Sequence, residues 1–528
     1  MSILVHELLS DNLTRTSENT LLKEKNMCIT HGELENRSNQ FSNYLFELGV
    51  NKGDRIALLM DASIDAVIAI VGIMKIGAIY VPINVSCSKE KIDYILNETE
   101  SKIFIAESKY LNGLLTNSSL NKIKTIIRGN EEKGFELYRF SDYLTFSREH
   151  LKRNKIISKD IVNIIFTSGT TGTPKGVMVR HENITPFMNY VTKRFNHNEL
   201  TRTLGKTPLS FDPFLTEIVP SFISGGSVYL YNNLISINHF LKVLHEEKIT
   251  NFGCGPSLLL LLVENKELLR KYDLSNMKQI YFGYENCPIN IIRTLQTYLP
   301  QVTFINGYGT TETYASSTFH EINYPIPEDM ESLPIGEPIE GTELLILNEE
   351  FSLTKPDEIG EMVIRGNSVM SGYWKNQKTT DEVLKVNPLF PESMEKVYFT
   401  GDLVKRNSNG DILFIGRKDT QIKIQGYRVE LLEVQGFIES HPLVKECCVI
   451  AIEQKGTKKM VCYLVTKENM LTELDEIKSN LISNLEPYKF PHEWKLISHI
   501  PRNANSKVDR KILENMYRKE IHSEHNII

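Results

Sequence analysis

The chain has 528 residues, 41% hydrophobic and 24% charged, an ordinary balance for a soluble protein long enough for several lobes and large cores. A net charge of −6 argues against a broad nucleic-acid-binding or anionic-membrane surface. Seven cysteines with no C-x-x-C pair, two of them adjacent at Cys447 and Cys448, fit a reducing, cytoplasmic setting and imply no cysteine-built metal site.

From the N-terminus, MSILVHELLSDNL carries acids and no basic stretch, so it does not read as a signal peptide. GELENRSNQFSNYLFELG places Leu34, Phe41, Tyr44, Leu45 and Leu48 at helical spacing. DRIALLM then predicts a strand. The most apolar run, AVIAIVGIMKIGAIYVPI, is interrupted by Lys75, Gly77 and Pro82, which predicts a buried helix turning into a strand rather than a membrane span. SKIFIAE, VNIIFT, SVYLYN, KQIYFG and VTFINGYG predict further strands. Strands alternating with helical patterns mean α/β layers. Past residue 330 the character changes to short, Gly-punctuated strands (GEMVIRG, EKVYFTGDL, GDILFIGR), and from residue 417 onward the pattern is strand, strand, helix, strand. The expected architecture is therefore α/β: a large domain over 1–416, made of layered α/β subdomains plus a β-rich one, and a small α+β domain over 417–528. The cluster Arg417-Lys418-Asp419 is the candidate hinge.

The stretch TSGTTGTPKG, Thr167 to Gly176, follows a predicted strand and combines glycines, hydroxyls and one lysine, the components of an anion-binding loop. It is not a Walker A loop. Counting from Gly169, Pro174 occupies the position of the second glycine, and Lys175 is followed by Gly176 instead of Ser or Thr. Pro174 and Gly176 also oppose a following helix. A loop that covers phosphates fits better than one that opens a helix; the alternative is a plain Thr/Gly hairpin tip.

Three later stretches add to it. In NGYGTTET, Tyr308 could stack on a flat base, Thr311 could donate to a phosphate, and Glu312 could hold a Mg²⁺. In YFTGDL, Asp402 follows a glycine turn, where a carboxylate can accept from two ribose hydroxyls. In NSKVDR, Lys507 sits in a polar turn; alone it would read as a solvated lysine.

Together with ITHGELENRSNQ, MKIGAIYVPIN, FDPF, GEMVIRGNSVMSGYW, GRKDTQIKIQGYRVEL and LEPYKFP, these stretches make ten segments in order along nearly the whole chain. In this the sequence resembles the adenylate-forming superfamily of acyl-CoA ligases, luciferases and nonribosomal-peptide adenylation domains, and the last group most of all. The resemblance implies that ATP activates a carboxylic acid as an acyl-adenylate, with release of pyrophosphate. The loop residues Thr167, Ser168, Gly169, Thr170, Thr171 and Lys175 would close over the phosphates. Asn306 and Tyr308 would line the nucleotide, with Tyr308 on adenine. Asp402 would hold the ribose, assisted by Arg417. Glu312 would bind Mg²⁺, with Thr311 beside it, and Lys507 would bridge the carboxylate and the α-phosphate. The small domain would rotate about Asp419, letting the phosphopantetheine thiol of a carrier protein approach past Gly426.

By the same resemblance, Asp212 of FDPF pairs with the α-ammonium of an amino acid; the alternative is a helix N-cap, which Asp also favours. The further pocket positions align as Pro213, Thr216, Gly253, Tyr281, Gly283, Gly307, Ala315 and Ser316. They include no charge, three glycines and three hydroxyls, which implies a roomy pocket for an uncharged, medium-to-large side chain, aromatic ones included. Asn84, Thr310, Phe399, Gln425, Leu432 and Ser506 depart from the family's usual residues without removing a group the chemistry needs.

The expected protein is a free-standing, monomeric amino acid–carrier ligase loading a separate carrier. It would have no nucleic-acid or membrane partner, and a local basic patch (Arg180, Lys423, Lys489, Arg510) would meet an acidic carrier. The competing readings are an acyl- or aryl-CoA ligase, a D-alanine–carrier ligase, and a non-catalytic binding protein of the same fold.

Overall fold

The computed structural model describes residues 3–111, 123–129, 137–150, 154–167, 174–232, 236–283, 285–330, 332–418, 421–424, 426–454, 457–467, 471–502 and 508–525. The chain divides into two compact units. One comprises Met1–Val85, Lys89–Thr167 and Lys175–Gly416, and the other is made chiefly of Arg417–Ile528.

The large unit begins with helices whose ends are legible in the sequence. His31–Glu47 starts at a capping box: the Thr30 hydroxyl accepts from the Glu33 N–H, and the Glu33 carboxylate accepts from the Thr30 N–H. Its buried face carries Leu34, Phe41, Tyr44 and Leu45, as the spacing predicts. Ile64–Ile76 is capped by Ser63, stops at Gly77 in the left-handed conformation, and is buried nearly all round. The strand Ile79–Pro82 follows at once. Among the described residues no helix is long and apolar enough to cross a membrane.

Among the described residues of this unit, three sheets form. A seven-stranded sheet runs Leu137–Arg139, Lys124–Arg128, Ile103–Glu107, Arg55–Leu59, Ile79–Pro82, Ile161–Thr167 and Lys175–Arg180. All its pairings are parallel except the last, where Thr167 faces Lys175 across an antiparallel pair. From Lys175 the described residues after the Thr/Gly loop are thus strand and not helix, the distinction from a Walker A loop that Pro174 and Gly176 predict. A nine-stranded sheet has Asn251–Cys254, Gln279–Gly283 and Thr303–Tyr308 side by side and parallel near one end. Strands in parallel sheets are buried on both faces, which is why these segments read as near-continuous apolar runs. The third sheet, five-stranded and antiparallel, contains Ile359–Gly366 and Lys396–Arg406 and accounts for the change of character past residue 330.

The small unit holds a hairpin (Gln421–Ile424 with Tyr427–Glu430), the helix Leu431–Glu439 and a three-stranded sheet built around Val444–Gln454 and Thr457–Thr466. Its core gathers Ile424, Val429, Val434, Ile438, Val449 and Leu464. All seven cysteines are free thiols.

Candidate functional site

Three clusters of predicted site residues assemble in the large unit around the end of the strand Thr303–Tyr308 and the single helical turn Thr311–Thr313 that follows it.

The first centres on Asp212. It occupies the N-cap position of the helix Pro213–Ser224, yet its side chain makes no capping bond. The carboxylate instead accepts the Ala315 N–H at 2.7 Å and the Thr311 hydroxyl at 3.4 Å, while the residue is almost wholly buried. The capping alternative is therefore not what this acid does. Ala315 reaches it through strain: Tyr314 and Ala315 are consecutive non-glycine residues at φ 49° and 62°. Each such residue costs on the order of 1–3 kcal/mol, and strain of this kind clusters where structure serves function.

The second centres on Glu312, whose side chain is fully buried. Its Oε1 accepts the Tyr373 hydroxyl at 2.8 Å, and its backbone carbonyl accepts the Met370 N–H at 2.8 Å. The segment carrying Tyr373 lies antiparallel along the strand Lys175–Arg180. Ser371 donates to Met178, Met178 to Gly372, and Trp374 to Gly176. The Lys175 ammonium sits 5.5 Å from the centre of the Tyr373 ring, within cation–π range. In sequence Tyr373 is one residue of the GEMVIRGNSVMSGYW segment, with no local pattern that marks it as a partner of Glu312.

The third joins two residues expected at the nucleoside. Tyr308 donates its hydroxyl in a short hydrogen bond to Asp402, and both are buried. The Tyr308 ring packs in an apolar cluster with Ile335, Ile346, Met362, Ile364, Val404 and Ile412. Asn306 spends its amide on the Pro334 carbonyl at 2.7 Å. Thr167 ends the strand before the Thr/Gly loop, and Arg417 ends the strand Ile412–Arg417. Gly426 lies in the left-handed region at φ 85°, which favours glycine at that turn on backbone grounds. Ser168, Gly169, Thr170, Thr171, Asp419, Gln425, Ser506 and Lys507 lie outside the described residues.

The pocket positions correct two expectations. The three glycines do not all make room. A Cβ on Gly283 would lie 2.1 Å from the Gly307 carbonyl oxygen, so this glycine permits close strand approach. One on Gly307 would lie 3.2 Å from Phe319 and from the Ser316 hydroxyl. Only at Gly253 is there space, and there the nearest atom, at 3.9 Å, is Oε1 of Glu217. The hydroxyls are also engaged within the protein: Thr216 donates to Pro213 O at 2.6 Å and Tyr281 to Gln279 at 2.8 Å. The Tyr281 ring meets Phe195 edge-on at 4.9 Å, and Phe195 meets Phe319 at 5.1 Å, forming an aromatic wall.

The second correction is that an acid does stand beside these positions. Glu217 is buried and accepts the Thr207 N–H at 3.0 Å and the Thr207 hydroxyl at 2.8 Å. Burial pushes its carboxyl up to about 7, against the pull of Lys206 and the Thr207 hydrogen bonds. Its charge state at neutral pH is thus poised, which alignment alone could not reveal. The proposed basic patch also loses a member. Lys489 is buried with Glu433, in a short contact, and with Glu486 at 3.5 Å. Arg180 pairs with Glu182, and Arg510 donates to Gln435.

Among the described residues there is no group of three or more His, Cys, Asp or Glu that could cage a metal ion. Glu312 alone fits the donor set of Mg²⁺, which commonly takes one or two carboxylates and completes its shell with phosphate oxygens and water.

Residues 9–374 match the family described as AMP-binding enzyme, and residues 433–507 match AMP-binding enzyme C-terminal domain. The chain is 30% identical over 514 residues to bacitracin synthase 1 of Bacillus licheniformis, covering 96% of this chain and 9% of that protein. Eight such relatives are much longer than this chain, which spans between 6% and 44% of their length. Among solved structures, it superposes on holo-PA1221, a nonribosomal peptide synthetase protein containing adenylation and peptidyl-carrier domains, with a TM-score of 0.82 and 22% identity, over 97% of this chain and 84% of that one. It also superposes on o-succinylbenzoate CoA synthetase from Bacillus subtilis, with a TM-score of 0.79 and 21% identity, over 96% and 98%. At these identities the superpositions establish the fold.

Proposed function

The chain belongs to the AMP-binding enzyme family, and on that premise we propose that it activates an amino acid as its aminoacyl-adenylate and passes it to the phosphopantetheine thiol of a carrier protein. The observation that carries this reading is Asp212. Its carboxylate is turned off its own helix and held by the Ala315 N–H and the Thr311 hydroxyl. The α-ammonium of an amino acid is the charge that complements a buried carboxylate turned toward the substrate side of this turn.

With the ammonium on Asp212, the substrate carboxylate lies beside the turn Thr311–Thr313. One carboxylate oxygen forms a bond to the α-phosphorus of ATP, the bond from that phosphorus to the β-phosphate oxygen breaks, and pyrophosphate leaves. The carboxylate is a weak nucleophile, so the chain contributes alignment and charge: Asp212 orients the acid, and the resemblance gives Lys507, which lies outside the described residues, the bridging role between carboxylate and α-phosphate. Lys175 is the cation expected at the departing phosphates. A Mg²⁺ held by Glu312 supplies charge neutralisation on the phosphates when bound. The thiol then attacks the acyl carbonyl and AMP departs.

A CoA ligase reading shares every nucleotide contact and differs in the acceptor thiol; the superposition on o-succinylbenzoate CoA synthetase favours keeping it as the second reading. ATP–pyrophosphate exchange across the proteinogenic amino acids, with short-chain and aryl acids alongside, separates the two. Exchange with one or a few amino acids is expected. Exchange only with acids that lack an amino group would replace the proposal with the CoA-ligase reading.

A further inference from the structure

We infer that Tyr373 is a positioning residue that locks Glu312 and Lys175 into one unit, so that the acid expected at Mg²⁺ and the lysine expected at the phosphates are set by the same side chain. The inference rests on the adenylate-forming reading of the site.

Three observations converge on it. The Tyr373 hydroxyl donates to Glu312 Oε1 at 2.8 Å, between two buried side chains. The face of the same ring lies under the Lys175 ammonium at 5.5 Å. The backbone of Tyr373 bridges Val177, two residues along the strand that Lys175 begins. A phenol donating to one carboxylate oxygen stops rotation of that carboxylate and leaves the other oxygen in a set direction. The ring attracts the lysine without accepting its proton or neutralising its charge. A carboxylate in the same place would pair with Lys175 and repel Glu312. A phenylalanine would hold the lysine and release the acid. Tyrosine does both.

A purely structural tyrosine would bury its ring and satisfy its hydroxyl in the same way, so the test must read something other than folding. Tyr373→Phe keeps the ring and the backbone pairing, and removes the hydroxyl and with it the bond to Glu312. In the full chain, Mn²⁺–ATP binding, followed by the loss of the free Mn²⁺ paramagnetic resonance signal, should weaken roughly tenfold, the scale of one hydrogen bond to a charged group. The Mg²⁺ concentration needed for half-maximal pyrophosphate exchange should rise, and kcat should fall, while KM for the carboxylic acid stays unchanged. In a Glu312→Gln background the Tyr373→Phe change should add nothing further to the loss.

Unchanged Mn²⁺–ATP binding in Tyr373→Phe, with only a lowered Tm, would overturn the inference and leave Tyr373 a packing residue. A full additional loss in the Glu312→Gln background would overturn it as well. If the unsubstituted chain binds Mn²⁺–ATP but exchanges pyrophosphate with no acid, the functional reading falls, and the Mn²⁺ comparison still decides the role of Tyr373. A chain that binds no Mn²⁺–ATP overturns both.

Discussion

The turn Thr311–Thr313 serves two corners that are built by opposite means. On one side, Asp212 is held by a main-chain N–H aimed at it through two strained residues, Tyr314 and Ala315. On the other, Glu312 is held by a side chain, Tyr373, whose own backbone is fastened to the strand of Lys175. The difference accords with the separate roles proposed for the two acids. The Asp212 corner joins two segments, the start of one helix and the turn 103 residues later, and suits recognition of one small cation. The Glu312 corner ties together three distant segments and suits a charge that must stay aligned with a long polyphosphate.

The comparison can be broken by unequal substitutions. The largest effect is expected from Glu312→Gln, which should lower pyrophosphate exchange by roughly a thousandfold for every acid substrate alike, since it removes charge from the phosphate side. Asp212→Ala should cost roughly a hundredfold and should do so selectively, striking amino acids while sparing acids without an amino group. An unchanged preference between the two classes would remove Asp212 from substrate recognition. Tyr373→Phe follows at roughly tenfold, read in metal–nucleotide binding and kcat rather than in KM for the acid.

The smallest effect on activity is expected from Glu217→Gln, and it should appear in stability instead. The folded-state pKa of Glu217 is raised from 4.5 to about 7 by burial, so its favourable contribution is present in full below about pH 4.5 and is lost as pH rises through about 7. That loss is on the order of 3 kcal/mol. Glu217→Gln should flatten the corresponding fall in unfolding free energy between those pH values, as followed by urea denaturation. An unchanged slope would mean that another group titrates there.

Much of this molecule was legible in one dimension. Apolar runs and helical spacing located the strands Arg55–Leu59, Ile103–Glu107, Gln279–Gly283 and Thr303–Tyr308 and the helices His31–Glu47 and Ile64–Ile76, because alternation and period report which faces are buried. Pro174 and Gly176 excluded a helix after the Thr/Gly loop, because one lacks the N–H and the other costs backbone entropy. Asp212 and Glu312 were named from the order of short segments. Tertiary structure alone decided the rest. Tyr373 meets Glu312 across 61 residues of sequence, through a strand pairing that no local pattern encodes. Lys489 reads as a surface lysine until Glu433 and Glu486 enclose it. Gly283 and Gly307 read as open space until the neighbouring backbone and side chains fill it. Glu217 reads as an ordinary glutamate until packing seals it from water, and burial is a property of the packed chain, not of the residue.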